Sequence, residues 1–317
     1  MSDLPVVASV HEAVALLRRH GLGLDGVEPV VVTALSEDLG GHGVLPPGTG
    51  AGVDVTSVAT IPADAVAEAE IVARAAGVLA GLPVAAYALA LVCAEAGPFT
   101  VQPLVADGTP VVRGDVVLAV RGNTRALLRA ERVALNLLTV LSGTATATAA
   151  WANALRNSRT RVRDSRKTLP GLRMLQKYAV RAGGGVNHRM CLADAALIKD
   201  NHVIAAGGVV PAFLAVRREF PGIDVQVEVT TAEQARQVVA AGAVEVLLDN
   251  MTPAEMSAVV AELGDRARFE ASGGLRIEDV ATIAATGVHF VAVGAITHSA
   301  PALDFALDFR DSDSPMG

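Results

Sequence analysis

Three short stretches carry the residue types that could do chemistry: Asp164-Ser-Arg-Lys-Thr-Leu-Pro-Gly171, Gly183-Gly-Gly-Val-Asn-His-Arg189 and Ile198-Lys-Asp-Asn-His202. Between Arg159 and Lys199 lie ten of the 26 lysines and arginines, at positions 159, 161, 163, 166, 167, 173, 177, 181, 189 and 199. The same window holds only two of the 33 carboxylates, Asp164 and Asp194. The whole chain has a formal net charge of -7. An acidic protein that gathers cations in one segment has the means to hold a small polyanion. Arginine brings a planar fork suited to carboxylate or phosphate, and lysine brings a point charge.

The elements around these stretches read as short apolar strands alternating with helices. The expected strands are Arg161-Asp164, Ala195-Lys199, Asp224-Val229, Val244-Asp249, Ala267-Ser272 and His289-Gly294. The expected helices are Gly171-Arg181, Val209-Phe220, Ala232-Ala241, Pro253-Leu263 and Ile277-Ala285. Such alternation argues for a parallel sheet, and units of this length favour a barrel over an open doubly wound sheet. Lys199, Glu228, Asp249, Ser272 and Gly294 each sit at the C-terminal end of one of these strands. A barrel sets such ends around one mouth, so five polar or glycine positions in register predict a ring for chemistry. Ser272-Gly273-Gly274 and Gly294-Ala295 follow the last two strands, where backbone N–H groups could take a phosphate.

Before Asn123 the chain reads as mixed α and β: helices over Val10-His20 and Pro83-Ala96, strands over Glu70-Arg74 and Val116-Arg121, and a flexible Gly- and Pro-rich loop over Gly40-Gly52. A long helix is expected from about Asn123 to Asn157. Its segment Val133-Leu155 is long enough to cross a bilayer, yet Asn136, Ser142 and several threonines favour a buried, bridging helix. No membrane span is expected. Met1-Val10 lacks a basic region followed by an apolar run, so no signal peptide is read there. Two cysteines, Cys93 and Cys191, make no disulfide framework and fit a reduced cytoplasmic setting. The acidic balance and the 3% aromatic content speak against a nucleic-acid binder.

Taken in order, the motifs resemble the quinolinate phosphoribosyltransferase family. The resemblance rests on Glu131-Arg-Val-Ala-Leu-Asn136 with Ser142-Gly143, Ser165-Arg-Lys-Thr-Leu-Pro-Gly171, Gly183-Gly-Gly-Val-Asn-His-Arg189 and Leu197-Ile-Lys-Asp-Asn-His202. Val227-Glu-Val229, Leu247-Leu-Asp-Asn250, Glu270-Ala-Ser-Gly-Gly274 and Val293-Gly-Ala-Ile-Thr297 complete it. It implies an α/β fold: an N-terminal α/β sandwich over residues 1–132 and an open seven-stranded α/β barrel over 133–298, with a C-terminal helix at about 299–313 packing back on the sandwich.

The implied activity transfers phosphoribosyl from phosphoribosyl pyrophosphate to quinolinate, giving nicotinate mononucleotide, pyrophosphate and carbon dioxide in NAD biosynthesis. By the same resemblance, Arg166, His188, Arg189 and Lys199 line the quinolinate pocket, with Ser165 beside them. Lys167 lies near both substrates, and Glu228 and Asp249 hold the ribose. Ser272, Gly273, Gly274, Gly294 and Ala295 take the 5′-phosphate. Arg132 is supplied across the interface of a homodimer, which could assemble further. Mg2+ is required; no His, Cys or carboxylate cluster has the spacing of a metal cage, so the ion is expected to arrive on phosphoribosyl pyrophosphate.

Two departures accompany the resemblance. Ser165 stands where threonine is usual, and Gln226 where a second acidic residue is common. Arg159, Arg161, Arg173, Lys177 and Arg181 read as a solvated face, and His42, His289 and His298 as structural. Three rivals stand beside this reading: a related type II phosphoribosyltransferase of other substrate choice, a Schiff-base barrel using Lys199, and a nucleic-acid binder using the basic segment.

Overall fold

The computed structural model describes residues 4–42, 44 and 52–310, so most of the glycine-rich stretch between Gly43 and Gly52 lies outside the described residues. The chain forms two compact units. One comprises Met1–Thr146, Pro170–Gly183 and Ala300–Gly317, the other Ala147–Leu169 and Gly184–Ser299. Against the expected division at 132/133, compactness divides the chain after Thr146.

The first unit is built on an antiparallel sheet in the order Phe305–Phe309, Val66–Ala73, Val116–Asn123, Thr100–Pro103. Against it lies Leu82–Cys93, a helix so rich in alanine, valine and leucine that eleven of its twelve residues are buried. Its N-cap, Gly81, has no side chain to offer. Asp107 supplies the cap from elsewhere, accepting the N–H groups of Gly81 and Leu82 at 2.7 and 3.2 Å. The helix Thr124–Ala154 presents Leu127, Ala130, Ala134, Leu138, Leu141 and Ala145 to the core at helical spacing.

The polar residues of that helix have partners. The Ser142 hydroxyl accepts from Ala80 N–H and donates to its carbonyl, and the Thr146 hydroxyl accepts from Val78 N–H at 2.8 Å. A Cβ on Gly143 would stand 2.3 Å from the Pro301 carbonyl oxygen, so the Ser-Gly pair lets the returning chain lie against the helix. Among the described residues this is the one helix long and apolar enough to cross a membrane, and 67% of its most apolar stretch is buried.

The expected C-terminal helix is not formed. Residues 301–304 have no regular structure, and Phe305–Phe309 is a strand. It pairs antiparallel with Val66–Ala73, placing Ala73 opposite Phe305 and Ala69 opposite Phe309. Phe305, Leu307 and Phe309 share one side of this strand by its period of two, and aromatics favour such a surface. Residues 311–313 lie outside the described part.

The second unit holds the parallel strands, in the order Arg161–Arg163, Phe290–Ala292, Arg268–Ser272, Glu245–Asp249, Asp224–Val229, Ala195–Ile198. Their middles are buried on both faces, as at Val246-Leu247-Leu248 and Phe269-Glu270-Ala271, the signature of parallel strands covered by helices. The seventh strand is reduced to one residue: Val186 bridges Arg163 in parallel on the far side of Arg161–Arg163. The ladder stops there because Asp164 captures the next two residues. Its carboxylate accepts Asn187 Nδ2 at 2.6 Å and His188 N–H at 2.8 Å. The result is an open α/β barrel.

Candidate active site

Lys199, Glu228, Asp249 and Ser272 stand at or just beyond the C-terminal ends of consecutive parallel strands, and Asp249 lies directly opposite Ser272. Glu228 is half-buried. Burial first, then Asp249, and further Asp200, hold its carboxyl above the usual range, while Lys199 and Lys167 pull it back. These charges therefore share one local field. Asp249 is oriented by its neighbour Asn250, whose Nδ2 donates to Asp249 Oδ2 at 2.7 Å. Asn250 sits at φ 54°, a left-handed conformation asparagine tolerates.

The same residue explains Gly273. At φ 101° a side chain would be strained, and a Cβ would lie 2.2 Å from Asn250 Oδ1. Asn250 N–H also donates to the Ser272 carbonyl at 3.0 Å, so Asp249 and the Ser272-Gly273-Gly274 turn form one packed piece.

The loop after Arg161–Arg163 brings the cations. Ser165 Oγ accepts Lys167 N–H at 3.1 Å. The Lys167 aliphatic stem passes Gly294 so closely that a Cβ there would meet Lys167 Cδ at 2.9 Å. Thr297, on the short helix Ala295–His298, donates its hydroxyl to the Lys167 carbonyl at 2.6 Å. Arg166 and Arg189 are each half-buried, and the Nε of each is buried without a hydrogen-bond partner. Burial, then the neighbouring Arg166, depress the Arg189 pKa, with Asp194 and Cys191 opposing. Arg189 Nη1 is held by the Ala195 carbonyl at 2.8 Å. Two cations crowded with unused buried donors have the form of an anion pocket.

Residues 54–142 match the N-terminal domain of quinolinate phosphoribosyl transferase, and residues 144–308 its C-terminal domain. The chain belongs to this family. Carboxylating nicotinate-nucleotide pyrophosphorylase of Mycobacterium leprae is 47% identical over 260 residues, spanning 81% of this chain and 91% of that protein. A probable enzyme of the same name from Bacillus subtilis is 39% identical over 252 residues, 78% of this chain and 86% of its own length. Among solved structures, NadC from Streptococcus pyogenes superposes with a TM-score of 0.83 at 37% identity, covering 92% of this chain and 99% of its own. The nicotinate-nucleotide pyrophosphorylase of Francisella tularensis gives 0.83 at 34% identity, over 91% and 98%.

In this phosphoribosyl transferase Ser165, Arg166, Lys167, His188, Arg189, Lys199, Glu228, Asp249, the Ser272-Gly274 turn, Gly294 and Ala295 all belong to the second unit. Arg132 belongs to the first unit, where its exposed guanidinium pairs with Glu131 at 3.6 Å. His202 Nδ1 accepts the Lys199 N–H at 3.0 Å and so fixes the backbone carrying that lysine. His289 likewise accepts from Phe269 N–H at 3.1 Å.

Lys177 departs from the expected solvated face. The helix Arg173–Ala182 is covered from Leu175 through Val180, so it runs inside its unit and Lys177 is fully buried. Sequence reasoning gave no individual role to Asp164, Asn187, Asn250 or Glu270, although all four lie inside the motifs. Their types, short amides and carboxylates beside catalytic candidates, were the available signal.

Proposed function

We propose that this chain is a quinolinate phosphoribosyltransferase, joining quinolinate to the ribosyl C1 of phosphoribosyl pyrophosphate and releasing nicotinate mononucleotide, pyrophosphate and carbon dioxide. The names of its relatives point the same way. The observation that carries the proposal is the pair Arg166 and Arg189, with buried Nε donors lacking partners and one guanidinium depressing the other. A buried unsatisfied donor costs roughly 1–3 kcal/mol, a cost that a bound anion would offset at both arginines. Quinolinate, a dianion, satisfies both, and Lys199 adds a third cation.

Displacement at C1 builds positive charge on the ribosyl ring as pyrophosphate leaves. Glu228 and Asp249 stabilise that charge, while Lys167, packed along Gly294, faces the phosphates. Once the pyridine nitrogen is ribosylated, its positive charge draws the electrons of the departing 2-carboxylate, and the protein has chiefly to position and desolvate that group. Backbone N–H groups of Ser272-Gly273-Gly274 and Gly294-Ala295 take the 5′-phosphate. Mg2+ would arrive on the pyrophosphate and keep part of its water shell, neutralising the leaving group.

The functional assembly is a homodimer in which Arg132 serves the partner's site, and two unpaired cysteines, one buried and one exposed, suit a reducing cytoplasm. The deciding experiment supplies quinolinate, phosphoribosyl pyrophosphate and Mg2+ to the purified protein. Nicotinate mononucleotide and carbon dioxide should form in equal amounts. Turnover of nicotinate instead, without carbon dioxide, would assign the chain to a relative of different substrate choice.

A further inference from the structure

A hydrogen-bonded chain beneath the site has a polarity that can be read from its buried end. Arg163, 9% exposed in its side chain, donates through Nη1 to Glu270 Oε2 at 2.9 Å and stacks on Phe290 at 3.6 Å. Glu270 is 2% exposed. The Gln226 amide nitrogen donates to the same Oε2 at 2.6 Å. As a carboxylate paired with the Arg163 guanidinium, Glu270 can only accept at that oxygen, so the end of Gln226 that meets it is the NH2 group. The Gln226 NH2 group is thereby committed, and its carbonyl Oε1 faces His188, whose Nε2 lies 2.9 Å away. A carbonyl oxygen has no proton to give, so the ring nitrogen must donate.

We infer that Gln226 is a positioning residue that holds His188 as its Nε2–H tautomer, with Arg163 and Glu270 fixing the direction in which the Gln226 amide points. The inference rests on the proposed function for its consequence, since His188 matters to turnover only if it lines the quinolinate pocket. The backbone of His188 is set independently, through its N–H to Asp164 at 2.8 Å. Asp164 lies on the backbone side of His188, and Arg163 and Glu270 stand behind Gln226. With Nε2–H donating to an uncharged acceptor, the neutral ring is held in one tautomer.

The test uses the whole protein labelled with 15N-histidine. Two-bond 1H–15N spectra report the tautomer of each of the seven histidines, and loss of one pattern in His188→Gln identifies the resonance. Wild type should show His188 protonated on Nε2 throughout the pH range in which the ring is neutral. Gln226→Met keeps the volume and removes the acceptor, so the ring should become a mixture. Its KM for quinolinate should rise roughly fivefold, the value of one neutral hydrogen bond, with KM for phosphoribosyl pyrophosphate little changed.

Glu270→Gln should reverse the chain. The introduced amide can donate to Gln226 Oε1, turning the Gln226 NH2 toward His188 and driving the ring to Nδ1–H. Should that variant fail to fold, wild type against Gln226→Met decides. An Nδ1–H ring in wild type, or a Gln226→Met spectrum identical to wild type, overturns the inference. Absence of turnover in wild type with an Nε2–H ring would sink the functional reading and leave the positioning role intact.

Discussion

The hydroxyl of Thr297 donates to the main-chain carbonyl of Lys167 at 2.6 Å, tying the cationic loop after the first parallel strand to the loop after the last. Thr297 is 2% exposed, so the bond is made away from water. Lys167 is thereby held where its stem runs along Gly294. Thr297→Val conserves the volume and removes the donor, at a cost of about 0.5–1.5 kcal/mol. The expected result is a stable protein whose KM for phosphoribosyl pyrophosphate rises several-fold while quinolinate affinity changes little. Unaltered steady-state constants would show that the tie does not position Lys167.

Glu228 should set the acid limb of the pH profile. Burial, with Asp249 next, raises its pKa, so the carboxyl keeps its proton to higher pH than an ordinary glutamate. Only the ionised form can stabilise positive charge on the ribosyl ring, so activity is lost as pH falls through the raised value. Asp249→Asn removes one cause of the rise and should move the limb to lower pH. Glu228→Gln should lower kcat more than it raises KM and abolish the limb. A profile unaffected by Asp249→Asn would detach the limb from Glu228.

Arg166 should be a residue at which stability and function oppose each other. Its buried Nε lacks a partner, and its charge acts against Arg189. Arg166→Met removes both costs, so the unliganded protein should be about 1 kcal/mol more stable by thermal or denaturant unfolding. The rise in Tm produced by quinolinate in wild type should disappear. Reduced stability in the unliganded variant would mean that Arg166 is satisfied within the fold rather than waiting for an anion.

The six parallel strands were legible as short stretches, most of them apolar, with polar or glycine residues at or next to their C-terminal ends, and the observed limits fall within two residues of those expected. The ring of strand ends came directly from them. The seventh strand was not legible as a strand, since a one-residue bridge at Val186 has no period to detect. The tail misled for the opposite reason. Phe305-Ala-Leu-Asp-Phe309 places apolar residues at both i,i+2 and i,i+4, and only the open edge of Val66–Ala73 selects the strand. Gln226 could be noticed as an unusual residue, but its use depends on Glu270 and His188 meeting it from different strands and loops. Contacts between elements of that kind leave no mark on local spacing.

The last prediction concerns Arg132, which lies on the long helix in the first unit and has Glu131 as its described partner, whereas the other candidate cations belong to the second. If the partner's Arg132 completes each site, a two-fold axis repeats the contact and finishes two sites at once. Arg132→Ala and Lys199→Ala homodimers should then each be nearly inactive. Mixed under subunit exchange, they form heterodimers in which one site lacks both residues and the other lacks neither. Random mixing makes about half of all dimers mixed, each with one intact site, so activity should return to roughly a quarter of wild type if the sites work independently. Exchange can be verified by tagging one variant and isolating mixed dimers. Mixed dimers that remain inactive would place Arg132 in the service of its own subunit, or of none.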